Sequence, residues 1–266
     1  MSRINDKFSE LNKKGEKALI AYIMAGYPDE KTTLLGIRGL IQGGADIIEL
    51  GFPFSDPIAD GPTIQNASTV SLHKGITLEK FFKIVRKIRA ETDIPLILMT
   101  YTNILYRKGF NNFIKNAKNV GIDGIILPDM SIEESKEYLS VSRKNKMDSI
   151  FLISPNTSQA RIKKILKATT GFLYLVSIYG TTGTVKKIQN YTTDAIYKTK
   201  KIVRNKIPIG IGFGINTPKD AKKFLSSGVD AIIVGSAFLR IMEQTPSKDI
   251  ISKISSFTKS MKKTTR

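Results

Sequence analysis

Eight short apolar runs recur along this chain, and each gives way to a segment with helix-spaced apolar residues. The runs fall at 18–25, 47–49, 95–99, 123–127, 149–153, 172–177, 208–212 and 230–234. Most are continuously apolar, the pattern of parallel strands buried on both faces, and not alternating, the pattern of a half-exposed sheet. Eight strand–helix units predict closure into a barrel. The expected fold is therefore α/β: a single (β/α)8 TIM-barrel domain over residues 1–266, with an extra N-terminal helix and inserted helices. An open doubly wound sheet is the alternative, weakened because no GxGxxG follows the first run.

Composition narrows the chemistry. With no cysteine, disulfides and thiolate catalysis are excluded, and a single histidine, His73, leaves no basis for a histidine-rich metal site. No metal is expected. Residues 1–17 are polar and charged, unlike a signal peptide, and no apolar run approaches a membrane span, so a soluble cytoplasmic protein is expected. The net charge is +19, which raises a nucleic-acid hypothesis. The lysines are spread over most helical segments with few interleaved aromatics, so neither nucleic acid nor membrane is expected as a partner. A positive field would still steer a phosphorylated substrate.

Local signals set the helices. Residues 3–14 read as an amphipathic helix, with Ile4, Phe8 and Leu11 on one face, able to plug one end of the fold. Ser131 with Glu134 has the spacing of a capping box, and Thr217-Pro218 opens another helix. The tail from Lys259 to Arg266 is polar and expected to fray.

The stretch Asp46–Gln65, DIIELGFPFSDPIADGPTIQ, is unlike the rest. A short apolar run delivers Glu49 to a strand's end, and Gly51, Pro53, Pro57, Gly61 and Pro62 then forbid regular structure. Asp56 and Asp60 sit within this stiffened loop. A carboxylate following buried-type residues points into an interior, where charge is unfavourable unless used. In a barrel every residue just after a strand lies on one rim, so Glu49, Asp60, Tyr101, Asp129, Gly183, Phe213, Gly235 and Ser236 converge. The loops after the seventh and eighth runs, Gly212-Phe213-Gly214 and Gly235-Ser236, fall where barrels commonly hold phosphate on backbone N–H groups and a helix N-terminus.

ELGFPFSDPIADGPTIQ resembles the signature of the tryptophan synthase alpha chain family nearly letter for letter, and the resemblance extends along essentially the whole chain. It implies a lyase that cleaves indole-3-glycerol phosphate to indole and glyceraldehyde 3-phosphate by a reverse aldol reaction. It implies Glu49 as general acid and base, and Asp60, ionised in a polar loop, facing the indole N–H. Tyr174, Tyr22, Met99, Leu127 and Ile153 would line the indole pocket. Gly183, Phe213, Gly214, Gly235 and Ser236 would hold the phosphate, with Thr182 in a closing lid. Asp56, Tyr101 and Asn103 fall where the family meets its partner, a beta chain carrying pyridoxal phosphate in an α2β2 assembly. No cofactor is implied for this chain.

The resemblance departs at Ala21, Met24 and Tyr27, where the family more often has proline, threonine and aspartate, and at Ser131, where it has proline. It departs in the lid too, at Ile178 (usually arginine) and Thr181 (usually valine). These changes imply weaker activation by a beta chain and leave the Glu49–Asp60 stretch untouched. Another phosphate-handling enzyme on the same barrel would share the phosphate loops but lack that stretch.

Overall fold

A computed structural model describes residues 2–176, 185–212 and 214–266, with residues 185–190 described by backbone only. The elements run α1 (Arg3–Lys13), β1 (Ala18–Met24), α2 (Glu30–Gly43), β2 (Ile47–Gly51), α3 (Pro62–His73), α4 (Leu78–Glu91), β3 (Leu96–Met99), α5 (Thr102–Lys108), α6 (Phe110–Val120) and β4 (Gly124–Ile126). They continue with α7 (Lys136–Lys144), β5 (Asp148–Ile150), β6 (Leu152–Ile153), α8 (Gln159–Ala168), β7 (Leu173–Val176), α9 (Val185–Val203), β8 (Ile209–Gly212), α10 (Pro218–Ser226), β9 (Ala231–Val234), α11 (Ser236–Gln244) and α12 (Ile250–Lys262).

The strands pair in parallel in the order β5-β4-β3-β2-β1-β9-β8-β7-β6. The two ends of this order, β5 and β6, are consecutive in the chain with only Phe151 between them, so the covalent backbone closes the barrel. They are two halves of one stave: β5 pairs with β4, and β6 pairs with β7. Across the break the Tyr174 N–H donates to the Phe151 carbonyl at 3.1 Å. The fifth apolar run is thus a broken strand and not the continuous one expected.

Strand parity separates two apolar layers. Inside the barrel lie Ile20, Tyr22, Ile47, Ile97, Met99, Ile126, Tyr174 and Ile233. Between barrel and helices lie Leu19, Ala21, Ile48, Leu50, Leu96, Leu98 and the apolar faces of the helices. As expected, α1 plugs one end: Ile4, Phe8 and Leu11 join the inner layer, with Phe8 5.9 Å from Phe172 between ring centroids.

That same end carries a ring of carboxylates at the strand starts. Asp46 accepts from the Leu19 N–H (2.7 Å), Asp123 from the Leu96 N–H (3.0 Å) and Asp230 from the Ile209 N–H (3.0 Å). Each bonds across to the neighbouring strand and is paired with a cation: Lys262 on Asp46, Arg3 and Arg89 on Asp123, Lys17 on Asp230. Lys262 corrects the expectation of a frayed tail. Its ammonium is buried and donates to both oxygens of Asp46, at 2.8 and 3.0 Å, and the Thr265 carbonyl accepts from the Lys17 N–H at 2.7 Å. The tail is polar because it is tied to a charged floor.

Two further expectations are modified. The Ser131 hydroxyl does donate to Glu134 (2.7 Å), but the chain then makes a turn, in which Ser135 Oγ donates to the Ile132 carbonyl, and α7 starts only at Lys136. Helix α5, directly after β3, is an insertion that apolar spacing did not reveal. No helix among the described residues is long and apolar enough to cross a membrane.

Candidate active site

Glu49 is the third of five residues in β2, short of the strand's tip. It pairs in register with Tyr22 on one side and Ile97 on the other, and parity turns its side chain into the barrel. Only 1% of the residue is exposed, and its Oε2 is buried without a hydrogen-bond partner. Burial, reinforced by the nearby charge of Asp60, pushes the carboxyl up to about 8. At neutral pH it is mostly protonated, a proton donor poised in an apolar enclosure.

The loop after β2 brings Asp60 over the barrel mouth. Tyr101, at the N-terminus of α5, donates to Asp60 Oδ2 at 3.1 Å and accepts from the Ala59 N–H at 3.0 Å. Its ring stacks on Phe54 with centroids 5.1 Å apart. Asp60 Oδ1 is buried and unpartnered. The setting is drier than the polar loop expected from sequence: burial raises this carboxyl to about 6, against the lowering effect of the Tyr101 bond. Asp60 still ionises first, and its charge opposes ionisation of Glu49, Tyr22 and Tyr174.

A cavity opens here at the C-terminal ends of the strands. Its apolar walls are Tyr22, Ile64, Met99, Tyr174, Ile215 and Ile233, and Glu49 forms part of its floor. Two glycines make room for the tyrosines. A Cβ on Gly51 would run into the Tyr22 hydroxyl, and one on Gly212 into the Tyr174 hydroxyl. Both phenols are fully buried, which raises them well above the usual range and keeps them neutral.

The rest of the lining is polar and glycine-rich: Gly61, Gly214, Asn216, Gly235, Ser236 and Arg240. Gly214 has φ +76°, open to few residues other than glycine. Helix α11 begins at Ser236 with no side chain capping it, and Gly235 and Ser236 bring its positive end to the cavity lining.

The sequence-predicted residues divide accordingly. Glu49, Tyr22, Met99, Tyr174, Gly214, Gly235 and Ser236 line the cavity, and Asp60 stands beside it next to Gly61. Leu127 and Ile153 are buried in the outer layer between barrel and helices. Alternation runs unbroken through this stave, with Ile150 and Leu152 on the inner layer and Phe151 and Ile153 on the outer, so Ile153 faces the helices. Asp56 and Asn103 are exposed, whereas Tyr101 is buried beneath the loop. Thr182, Gly183 and Phe213, together with Ile178 and Thr181, lie outside the described residues. Ile64, Asn216 and Arg240 were not anticipated. The signal for Arg240 was present, a cation four residues beyond Ser236 on one helix face.

Comparisons with known proteins point to one family. The profile of the family described as tryptophan synthase alpha chain covers residues 8–266. A relative from Methanosarcina acetivorans, named tryptophan synthase alpha chain, is 46% identical over 242 residues, covering 91% of this chain and 87% of its own. Among solved structures, the tryptophan synthase alpha subunit of Legionella pneumophila superposes with a TM-score of 0.90 at 32% identity, covering 99% and 98% of the two chains. A chain of the tryptophan synthase complex of Pyrococcus furiosus superposes with a TM-score of 0.84 at 36% identity, covering 92% and 98%.

Proposed function

The chain belongs to the tryptophan synthase alpha chain family, and from that membership we propose how its own residues carry out the family's reaction. It is the alpha subunit of tryptophan synthase, a lyase that splits indole-3-glycerol phosphate into indole and glyceraldehyde 3-phosphate in tryptophan biosynthesis.

Cleavage requires a proton on indole C3 and removal of the proton from the glycerol hydroxyl next to it. One carboxyl can do both. Protonated Glu49 gives its proton to C3, which turns the ring into a leaving group. The resulting carboxylate takes the hydroxyl proton as the carbonyl forms, so Glu49 ends as it began. Positive charge develops on the indole nitrogen meanwhile. Asp60, which ionises first, balances it through the N–H. Two carboxylates whose environments separate their proton affinities take separate roles.

Tyr22, Ile64, Met99, Tyr174 and Ile233 enclose the indole ring, and Gly214, Gly235 and Ser236 receive the phosphate. Gly183 and Phe213 would complete that cradle, and Thr182 the lid. The observation that carries the reading is the buried, unpartnered Glu49 Oε2 in a cavity that is also lined by the start of an uncapped helix.

The chain works as one barrel unit, in the cytoplasm, without a cofactor of its own, and hands indole to a beta chain that carries pyridoxal phosphate. Two alpha and two beta chains assemble. Support for that contact comes from the Pyrococcus furiosus relative, whose structure is a tryptophan synthase complex. Ile58 (83% exposed) and Tyr106 (72%) add exposed apolar surface, on the loop that holds Asp56 and the helix that holds Asn103. The test is indole release from indole-3-glycerol phosphate by Asp60→Asn. A fall in kcat/KM of at least about tenfold supports the assignment, and an unchanged rate refutes it.

A further inference from the structure

We propose that Arg240 is a side-chain ligand of the substrate's phosphate and a source of the site's preference for a phosphorylated over an unphosphorylated glycerol chain. The inference rests on the reading of the cavity given above and extends it to a residue outside the glycine-rich loops.

Arg240 lies in α11, four residues after Ser236, so the two side chains share a helix face. Both line the cavity beside Gly235, and Arg240 is the only cation among its described lining residues. Its charge is not spent on a carboxylate. No ion pair joins it to Asp or Glu among the described residues, and its Nη2 donates to a neutral acceptor, Asn216 Oδ1, at 2.6 Å. Asn216 is itself anchored, since its N–H donates to Asp220 Oδ2 at 3.2 Å. Asp220 is committed to capping α10, accepting from the Thr217 N–H (2.9 Å) and hydroxyl (2.8 Å).

The arginine is therefore oriented but electrically unbalanced. A phosphate monoester brings roughly −1.5 to −2 charges at neutral pH. A helix N-terminus offers about +0.5, and the nearby carboxylates Glu49 and Asp60 add none. A full, permanent positive charge is what the glycine-rich wall lacks. A guanidinium supplies it with a planar fork matched to two phosphate oxygens. Asn216 occupies one N–H and leaves the rest of the fork for the ligand.

The experiment compares wild type, Arg240→Gln and Arg240→Lys in the intact chain, with glycerol 3-phosphate as the binding probe and with steady-state cleavage of indole-3-glycerol phosphate. Arg240→Gln should weaken glycerol 3-phosphate binding and raise KM by about tenfold or more, the loss falling on KM and not on kcat. Arg240→Lys, which keeps the charge without the fork, should recover part of the loss. In the reverse condensation with indole, the preference for glyceraldehyde 3-phosphate over glyceraldehyde should fall by a similar factor in Arg240→Gln. If wild type cleaves and both variants keep its KM, its probe affinity and its preference, the inference is overturned while the assigned function stands. If wild type neither cleaves nor binds glycerol 3-phosphate, the reading of the cavity fails and the inference with it.

Discussion

Tyr101 and Asp60 are joined by a hydrogen bond of 3.1 Å, and the same hydroxyl accepts from the Ala59 N–H, so one side chain holds both the loop and its carboxylate. Asp60 carries its second oxygen bare into a dry setting because the first is fixed in this way. Tyr101 is thus a positioning residue for Asp60. The bond favours the ionised carboxylate and pulls its pKa down against burial, so removing the hydroxyl moves the pKa up from about 6. Tyr101→Phe should shift the acid limb of kcat/KM upward by about one unit, and lower kcat/KM at pH 6.5 roughly threefold. A variant with reduced kcat/KM but an unmoved acid limb would show that Tyr101 only supports the loop.

The wild-type pH profile follows from the same pair. The proposed roles require Asp60 ionised and Glu49 protonated. As pH rises, kcat/KM should climb as Asp60 ionises, at about 6, and decline as Glu49 ionises, at about 8. The two values belong to the coupled pair. A profile flat from pH 5 to 9 would contradict the division of roles.

Glu49 also makes the fold's stability depend on pH. The unfolded carboxyl ionises near 4.5 and the folded one at about 8. Between those values the folded state binds more protons, so stability falls as pH rises through the window. Glu49→Gln removes that fall. Its Tm relative to wild type should be higher at pH 9 than at pH 4.5, by roughly 5 °C or more. Equal Tm differences at the two pH values would mean that Glu49 is not held protonated by burial.

At the opposite end of the barrel, Lys262 neutralises Asp46, which in turn accepts from the Leu19 N–H. Burial already raises the Asp46 carboxyl, with Lys262 opposing that rise. Lys262→Ala strands a buried carboxylate and should destabilise the protein by about 3–5 kcal/mol in chemical denaturation. Deleting residues 259–266 should do at least as much. A truncated chain as stable as the full one would restore the view that the tail is a fray.

The parts legible in the sequence were those fixed by local patterning. The continuous apolar runs gave the staves, helix-spaced Ile4, Phe8 and Leu11 gave the plug, and Glu49 at the end of an apolar run pointed inward. What escaped depended on closure. The Tyr101–Asp60 bond joins residues 41 apart, and nothing in either segment announces it. The dryness around Asp60 comes from what folds over the loop, so its own polar neighbours misled. Ile153 faces the helices by simple alternation from Ile150, which a run apolar at four successive positions conceals. Lys262 reads as one lysine among many until Asp46 is seen beneath it.

The measurement that bears most directly on the account is indole release from indole-3-glycerol phosphate by wild type and Glu49→Gln. The substitution preserves size and removes the titratable proton. The account predicts steady indole release by wild type and a loss of at least about 10²-fold in the variant, with glycerol 3-phosphate binding retained. A variant that cleaves at the wild-type rate would contradict the assignment of both proton transfers to Glu49.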